Sequence, residues 1–423
     1  MPNFSIPLSG LTAESTALSA IANNLSNQNT TGYKDTSVLF SDLFYQSLGT
    51  SGSGDPIQVG AGTEISAMPA LFTQGSISST GVPTDVAIQG DGFFAVQQDG
   101  VVSYTRAGDF SVNDDSYLVT SQGQQVLGYA AVNGVINSGA GVVPLQLGFG
   151  TVSPPAATAN AQITTNLDAS ATVGTTFSTP VTIYDSLGAS HILTYTFTNT
   201  APNTWTYSLS VPSADLTPTT TGGVTNPRTG VLATGTLNFN GDGVLTGDTS
   251  TGTLGNITAI PITGLADGAS DMSFNWNLLN GTSPLISQVA GASSTSATQQ
   301  DGTSSGSLVN FSIGSDGTIT GAFSNGQTQA LGQLTIATFG NQGGLSLSGN
   351  TDYSETLASG QAVIGIPGEG GRGTLSGGAL ELSNVDIATE FANLIVAQRG
   401  FEADAKAVTT FDQITQDTIA LKQ

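Results

Sequence analysis

The 423-residue chain carries 30 acidic against 7 basic residues, a formal charge of −23, which repels phosphate backbones and anionic lipid and excludes nucleic acid as a partner. Only 9% of residues are charged and none is cysteine, so the surface must be Ser, Thr, Asn, Gln and Gly, with neither a disulfide framework nor a thiolate site. No apolar run approaches the roughly 18 residues of a membrane span, so membrane insertion is not expected, and the first ten residues lack the basic and apolar regions of a cleaved signal peptide.

Residues 8–25 place Leu8, Leu11, Leu18, Ile21, Ala22 and Leu25 at three-, four- and seven-residue spacings, which is one stripe of an amphipathic helix. Thr30-Thr31-Gly32 ends it near Asn27. Ser and Gly then dominate from 34 to 69, including Gly49-Thr50-Ser51-Gly52-Ser53-Gly54, and this composition reads as an extended linker. From 83 to 130 an alternating pattern is broken by Asp91-Gly92, Asp99-Gly100, Gly108-Asp109, Asp114-Asp115 and Gln122-Gly123, the rhythm of consecutive hairpins.

A Pro- and Ala-rich joint, Ser153-Pro154-Pro155-Ala156-Ala157, leads into strands with clear period-2 patterning. Leu193, Tyr195 and Phe197 share a face, and Trp205, Tyr207, Leu209 and Val211 repeat the scheme. Phe239–Thr246 and Phe311–Thr320 read as two further hairpins, while low-complexity stretches at 212–230 and 291–307 read as exposed loops. Past residue 378 helical spacing returns. Ser383 with Asp386 fits a capping box, and Ile387, Leu394, Phe401 and Val408 recur every seven residues, flanked by Phe391, Ile395, Ala405, Phe411 and Ile414. Unbroken over about 36 residues, that helix is on the order of 54 Å long.

The fold class predicted by this order is mainly β with α-helical termini. Two or more discontinuous β domains, hairpin-rich or barrel-like, are inserted between N- and C-terminal amphipathic helices that form a coiled-coil-like polymer core. The expected partition is 1–33 with 378–423 as the terminal helical domain, 34–69 as the linker, 70–160 with 328–377 as an inner β domain, and 161–327 as an outer one. The candidate interface is the pair of stripes: Leu8, Leu11, Leu18, Ile21 and Leu25 at one end, Ile387, Phe391, Leu394, Ile395, Phe401, Val408 and Phe411 at the other. Neighbouring Ser/Gly segments offer few large apolar residues as cover, and exposed apolar surface of that size marks an assembly site. The expected partner is a second copy of the chain. Burial gain and ordering entropy are of similar size for such stripes, so the ends are expected to be unordered in the monomer and helical in the polymer.

No segment builds an active site. Gly368-Glu369-Gly370-Gly371-Arg372-Gly373 matches G-x-G-x-x-G after a possible strand at 362–366, but no helix opens at the glycines as a pyrophosphate requires. Gly302-Thr303-Ser304-Ser305-Gly306 matches G-x-S-x-G within a Ser/Thr-rich loop, not at a strand-to-helix elbow. His191, the single histidine, starts a strand with the parity of Leu193 and reads as a strand-end residue, which leaves neither a triad nor a two-histidine zinc motif. Asn238-Phe239-Asn240-Gly241-Asp242-Gly243 lacks the first carboxylate of a calcium loop, has Thr249 at the twelfth position, and reads as a β-turn. Asp114 and Asp115 are neighbours on a strand and point apart. No catalytic residue, cofactor or metal is expected, and the role predicted is non-enzymatic.

The run Ala17-Leu18-Ser19-Ala20-Ile21-Ala22-Asn23-Asn24-Leu25-Ser26-Asn27, followed by Thr30-Thr31-Gly32-Tyr33-Lys34, resembles the N-terminal signature of bacterial flagellar rod and hook proteins. Leu380-Glu381-Leu382-Ser383-Asn384-Val385-Asp386, continuing through Phe391, Ile395, Gln398-Arg399-Gly400-Phe401 and Ala405, is similar to the matching C-terminal signature. Gly90-Asp91-Gly92-Phe93-Phe94 with Tyr104-Thr105-Arg106-Ala107-Gly108-Asp109-Phe110 resembles the family's first β domain. Clear resemblance covers about 1–45, 83–130 and 355–423; 161–327 is loosely similar to hook outer domains around Asn166-Leu167-Asp168-Ala169 and the Phe239 turn. The motif residues carried over are Asn23, Asn24, Asn27, Thr31, Gly32, Tyr33, Ser383, Asn384, Val385, Asp386, Gln398 and Arg399.

Rod members resemble this chain at its ends but carry a much smaller middle, which favours the hook members. A distal-rod-like axial protein is the alternative within the family, and an extracellular β-rich adhesin or enzyme the one outside it. The resemblance implies a flexible helical homopolymer, with helices inside and β domains outside, that transmits torque from rod to filament. It further implies the distal rod, hook cap, hook-filament junction proteins and flagellar export apparatus as partners, and a place in the flagellum outside the cell reached without a cleaved signal peptide. The sequence departs from hook proteins that cross-link covalently through cysteine.

Overall fold

The computed structural model describes residues 5–147, 152–221, 224–226, 228–248 and 254–421. Helix α1 spans Ser5–Ser26 and helix α2 spans Ile387–Ala420; between them the regular structure described is almost entirely β. Pro7 falls in the first described turn of α1, the part of a helix that tolerates proline. Asp386 caps α2, its carboxylate accepting from the N–H groups of Ala388 at 2.8 Å and Thr389 at 3.1 Å. The cap is thus the aspartate itself and not a Ser383–Asp386 box, because Ser383 Oγ accepts from Val385 N–H, 3.3 Å away, outside the helix.

Two compact units divide the chain: Met1–Phe149, Asn310–Gly321 and Thr328–Gln423 in the first, Gly150–Val309 and Ala322–Gln327 in the second. Residues 310–321, grouped with the outer domain on sequence rhythm, fall in the first unit.

In the first unit, strands 328–334, 125–132, 93–98, 101–105, 352–354 and 346–349 lie side by side in that order, each antiparallel to the next. Phe93 and Ala95 join Tyr104, Phe339 and Tyr353 in one core, while Phe94 and Val96 join Ile88, Phe110, Val126 and Leu334 in another. Neighbours on a strand point to opposite faces, so a strand buried on both sides has to read as the unbroken run Phe93-Phe94-Ala95-Val96. Two further short ladders belong to the unit, Val86–Gln89 with Thr374–Gly377 and Ile77–Ser79 with Ala379–Glu381.

Residues 34–69 are not the extended linker that their composition suggests. Leu39–Asp42 pairs with Thr63–Ala67, and inside that ladder Gln46–Thr50 pairs with Pro56–Val59. A two-stranded ribbon with no sheet packed on it has no buried face to impose alternation, so its Ser and Gly content hid the pairing. Leu39, Phe40, Phe44 and Tyr45 are accordingly exposed.

In the second unit, strands 257–262, 272–277, 160–168 and 286–289 form one sheet, and 176–184, 190–201, 204–210, 231–239 and 245–248 form another. Their inward residues share one core, in which the Trp276 ring centroid lies 5.0 Å from those of both Tyr195 and Tyr207. Strand 160–168 runs parallel to 272–277 and to 286–289, so hairpins alone do not build this unit. Ser294–Gln300, expected in an exposed loop, is an antiparallel neighbour of 160–168. Its small polar side chains stay mostly outside while its backbone completes the ladder, which is why composition misread it.

Candidate assembly site

The two helices pair in one antiparallel register. Gly10 lies against Asp404, Glu14 against Gly400, and Asn24 against Glu390; every step along α1 is matched by an equal step back along α2. The same register sets Ala17 opposite Ala397, and both are buried, as are Ala13, Ala20 and Ile21. A Cβ on Gly10 would collide with the Asp404 carboxylate, and one on Gly400 would sit 2.8 Å from Glu14 Oε1. Small residues therefore bring the helices together, and this seam pairs the described parts of both ends within a single chain. Alanines are too small to stand out as anchors in a sequence, so the stripes rested on larger residues and took in Ala22 and Ala405 but not the buried Ala13, Ala17, Ala20 and Ala397.

Those larger residues distribute unequally. Ile21 is buried in the seam, while Leu11, Leu18, Leu25, Leu394, Phe401, Val408 and Phe411 are half-buried along its borders. Leu8, Ile387, Phe391 and Ile395 are exposed. Phe391 at 52%, Ile395 at 57% and Val396 at 71% form apolar surface that nothing among the described residues covers. Beside it a groove of about 420 Å³ is lined by Ala17, Ile21, Val38, Phe40, Leu71 and Val396, among others. Extended to Ser5, the helix register reaches Thr409, so Thr410–Ala420 projects past the described part of α1.

The motif residues gather where the helices meet the strands. Asn24, 1% exposed, uses both ends of its amide. Its Nδ2 donates to Glu390 Oε2 at 3.2 Å, to Thr36 O at 3.0 Å and to Asp35 Oδ1, while its Oδ1 accepts from Tyr33 Oη at 3.0 Å and Thr36 N–H at 3.2 Å. Asn23 Nδ2 donates to Tyr33 Oη at 3.1 Å, and Asn27 Nδ2 donates to Asn23 O at 2.9 Å. Asn384 accepts from Asp35 N–H at 2.7 Å and donates to Leu71 O at 2.8 Å. Burial, followed by the Glu390 charge, raises the pKa of Asp35.

Gly32 has φ +67°, and a Cβ there would lie 2.6 Å from the backbone of Arg106 and Ala107, so the position demands glycine. Thr31 lines the neighbouring cleft with Asn27 and Tyr33. Val385 is half-buried, and Gln398 and Arg399 are exposed on α2.

Next to Gly32 lies a cluster that sequence reading did not find. Glu381 Oε1 accepts from Lys34 Nζ at 2.7 Å and Gly75 N–H at 2.9 Å, and Oε2 accepts from Arg106 Nη1 at 3.3 Å. The three charged side chains are at most 1% exposed. Lys34 Nζ also donates to Thr73 O at 2.7 Å, and the Arg106 guanidinium carbon sits 5.3 Å from the Phe93 ring centroid. Burial lowers the pKa of Lys34, the bond and charge of Glu381 oppose that, and Arg106 adds to it. Such a cluster costs free energy to desolvate and more to break. It fixes four segments at the place where the chain leaves α1 and approaches α2. Its available signal was rarity, since both of its cations, Lys34 and Arg106, come from only seven basic residues and lie inside quoted motifs.

The motifs set aside on context occupy turns. Gly368–Gly373 connects strand Val363–Gly365 to strand Thr374–Gly377 with no helix following. Asn240 Oδ1 accepts from the N–H groups of Asp242 and Val244, at 3.0 and 2.9 Å, and Gly243 has φ +77°. His191 shares the buried parity of Leu193 and Tyr195, as its strand position predicts.

Four protein-family models match the chain: Flagella basal body rod protein at 6–34, Flagellar hook protein FlgE/F/G D1 domain at 87–170, Flagellar basal body protein FlaE D2 domain at 143–303, and Flagellar basal body rod FlgEFG protein C-terminal at 376–421. Paired terminal helices with β units between them, carrying these matches, define an axial protein of the bacterial flagellum. The flagellar hook protein FlgE of Salmonella typhimurium is 36% identical, over 99% of this chain and 100% of that one. That of Treponema pallidum is 34% identical over 98% of each. A crystal structure of Helicobacter pylori flagellar hook protein FlgE2 covers 72% of this chain and all of its own, at 16% identity and a TM-score of 0.48. The chain belongs to the flagellar hook protein FlgE family and is a structural subunit of the hook, part of the flagellum outside the cell.

Proposed function

We propose that this subunit polymerises into a flexible helical tube that carries torque from rod to filament and turns over no substrate. The observation that carries the reading is the uncovered patch of Phe391, Ile395 and Val396 on a helix whose alanine face is already occupied by α1. A helix with one face satisfied inside the chain and another left open is suited to a second copy. Burying each such side chain is worth roughly 1.5–3 kcal/mol, and every added neighbour repeats the gain.

In this reading segments 1–33 and 378–423 form the inner wall, 70–149 with 310–321 and 328–377 the inner β layer, and 150–309 with 322–327 the outer one. Leu8, Leu394, Phe401, Val408 and Phe411 widen the interface around the patch. The Asn24 and Glu381 clusters make the junction of helices and strands stiff, while Thr- and Ser-rich outer surfaces make modest polar contacts that can slide. Distal rod and hook-filament junction proteins cap the polymer's ends, the hook cap attends its growth, and the flagellar export apparatus delivers the chain.

Electron microscopy of the purified chain tests this, with tubes expected from the intact protein and none from chains lacking 1–30 or 384–423. Phe391→Asp with Ile395→Asp separates assembly from folding, because both positions are exposed in the single chain and their change leaves its stability within about 0.5 kcal/mol. Truncated or doubly substituted chains that polymerise as well as the intact one overturn the proposal.

A further inference from the structure

His191 joins three turns of the second unit. Its Nδ1 lies 3.0 Å from Asp215 Oδ2, its Nε2 3.2 Å from Asp185 Oδ2, and Asp267 Oδ2 stands 3.7 Å from Nε2. The imidazole is 8% exposed and the Asp185 side chain 0%. A carboxylate brings no proton, so a ring with carboxylate oxygens at hydrogen-bonding distance from both nitrogens satisfies them only as imidazolium, donating at each. The neutral ring has a single N–H and would turn a lone pair onto the remaining carboxylate.

The three acids belong to different elements. Asp185 sits in the turn between strands 176–184 and 190–201, Asp215 in the short 3-10 turn 213–215, and Asp267 in the turn between strands 257–262 and 272–277. Asp185 is anchored in its own turn, its Oδ1 accepting from Leu187 and Ala189 N–H at 2.8 and 2.9 Å. The other two turns are tied to each other by Ala266 N–H donating to Asp215 O at 2.9 Å. Nearby charged residues are engaged elsewhere: Asp271 accepts from Gly264 N–H at 2.7 Å, and Arg228 donates to Thr263 Oγ1 at 3.0 Å.

We propose that His191 is a proton-operated clasp, which when charged pins the 213–216 and 263–268 turns to the Asp185 turn and on losing its proton in alkaline surroundings releases them. Burial works against the charge, but the bonds to Asp215 and Asp185 outweigh it and raise the His191 pKa. Burial likewise opposes ionisation of Asp185, and its hydrogen bonds, among them those from His191 and the Ala189 and Leu187 N–H groups, lower its pKa nonetheless. The histidine's contribution is complete below its free value of about 6.5 and fades as pH climbs through the raised one; that of Asp185 is complete above the ordinary carboxylate range of about 4 and fades as pH falls through the lowered one. The clasp is closed between these limits, and a protein outside the cell meets the pH of its medium directly.

One histidine gives one ring signal, so NMR titration of the full chain with labelled histidine reads the site without ambiguity. The midpoint is expected above about 6.5, and Asp215→Asn should draw it down toward that value. Hydrogen exchange, corrected for its intrinsic pH dependence, should show peptides over 213–216 and 263–268 losing protection as the midpoint is passed, and His191→Gln lacking that protection at every pH. A midpoint at or below the free value, or turns whose protection ignores the transition, overturns the clasp. So does a slowly exchanging histidine signal on adding zinc chloride that abolishes the titration, since the cluster is then a metal site. Should His191→Gln fail to fold, Asp215→Asn supplies the same readouts.

Discussion

Asn24 in the first helix donates to Glu390 in the last at 3.2 Å, and both side chains are buried. An amide suits this place because it can donate to carboxylates and accept from Tyr33 and Thr36 at once, whereas a carboxylate can only accept. Asn24→Ala is expected to cost about 1–3 kcal/mol through the partners it leaves unpaired. Asn24→Asp should cost more at neutral pH, since it sets a third acid beside Asp35 and Glu390. Burial and the Glu390 charge raise the Asp35 pKa, so this acid is already uncomfortable when ionised, and the excess penalty should shrink as pH falls through the carboxylate range. Thermal unfolding followed by circular dichroism at two pH values checks both statements.

Glu381→Gln strands two buried cations, and an uncompensated buried charge typically costs about 3–5 kcal/mol. Lys34→Met should be milder, because Arg106 and Glu381 remain paired. Denaturant titration orders the variants, and the ranking Lys34→Met worse than Glu381→Gln would count against the electrostatic account.

Glu14 lies on the helix seam, its pKa raised first by burial and then by Asp404. An acid whose folded value is raised weakens the folded state when it ionises, so pairing strengthens as pH falls through that value and weakens as pH rises. The group is largely solvated, which keeps the effect within about 1 kcal/mol. Glu14→Gln should thus stabilise modestly at pH 7 and match the parent in acid, where both are uncharged. Equilibrium denaturation at the two pH values reads the difference.

Gly32→Ala meets two penalties at once. The residue is left-handed at φ +67°, and the new methyl overlaps the backbone of Arg106 and Ala107 at 2.6 Å. Strain at such a position costs about 1–3 kcal/mol before the overlap is counted. A lower melting temperature with earlier proteolysis around the Gly32–Arg106 contact is expected; an unchanged melting temperature would show that the backbone there has room to move.

The strands of the three cores were legible because burial forces a pattern on the chain. Leu193, Tyr195 and Phe197 alternate with threonines since one face is inside, and Phe93-Phe94-Ala95-Val96 runs unbroken since both are. The ribbon at 39–67 and the strand Ser294–Gln300 were not, because backbone pairing without a buried face leaves no mark on composition. The exposed patch of Phe391 and Ile395 was visible from helical spacing. The seam beneath it was not, because Ala17 and Ala397 carry little apolar weight individually. Long-range partners were hidden altogether: nothing local says that Lys34 will meet Glu381, or that Asp185, Asp215 and Asp267 will converge on one imidazole.

Ile77–Ser79 is laced to Ala379–Glu381 and Val86–Gln89 to Thr374–Gly377, so the interior of the chain leaves and re-enters through one closed stem. Closing a longer excursion adds only about 0.6 kcal/mol per doubling of its length, while the stem's own geometry is untouched. Whole blocks between those laces can therefore be enlarged or trimmed with the anchorage at the base left as a fixed footing for cargo of almost any bulk.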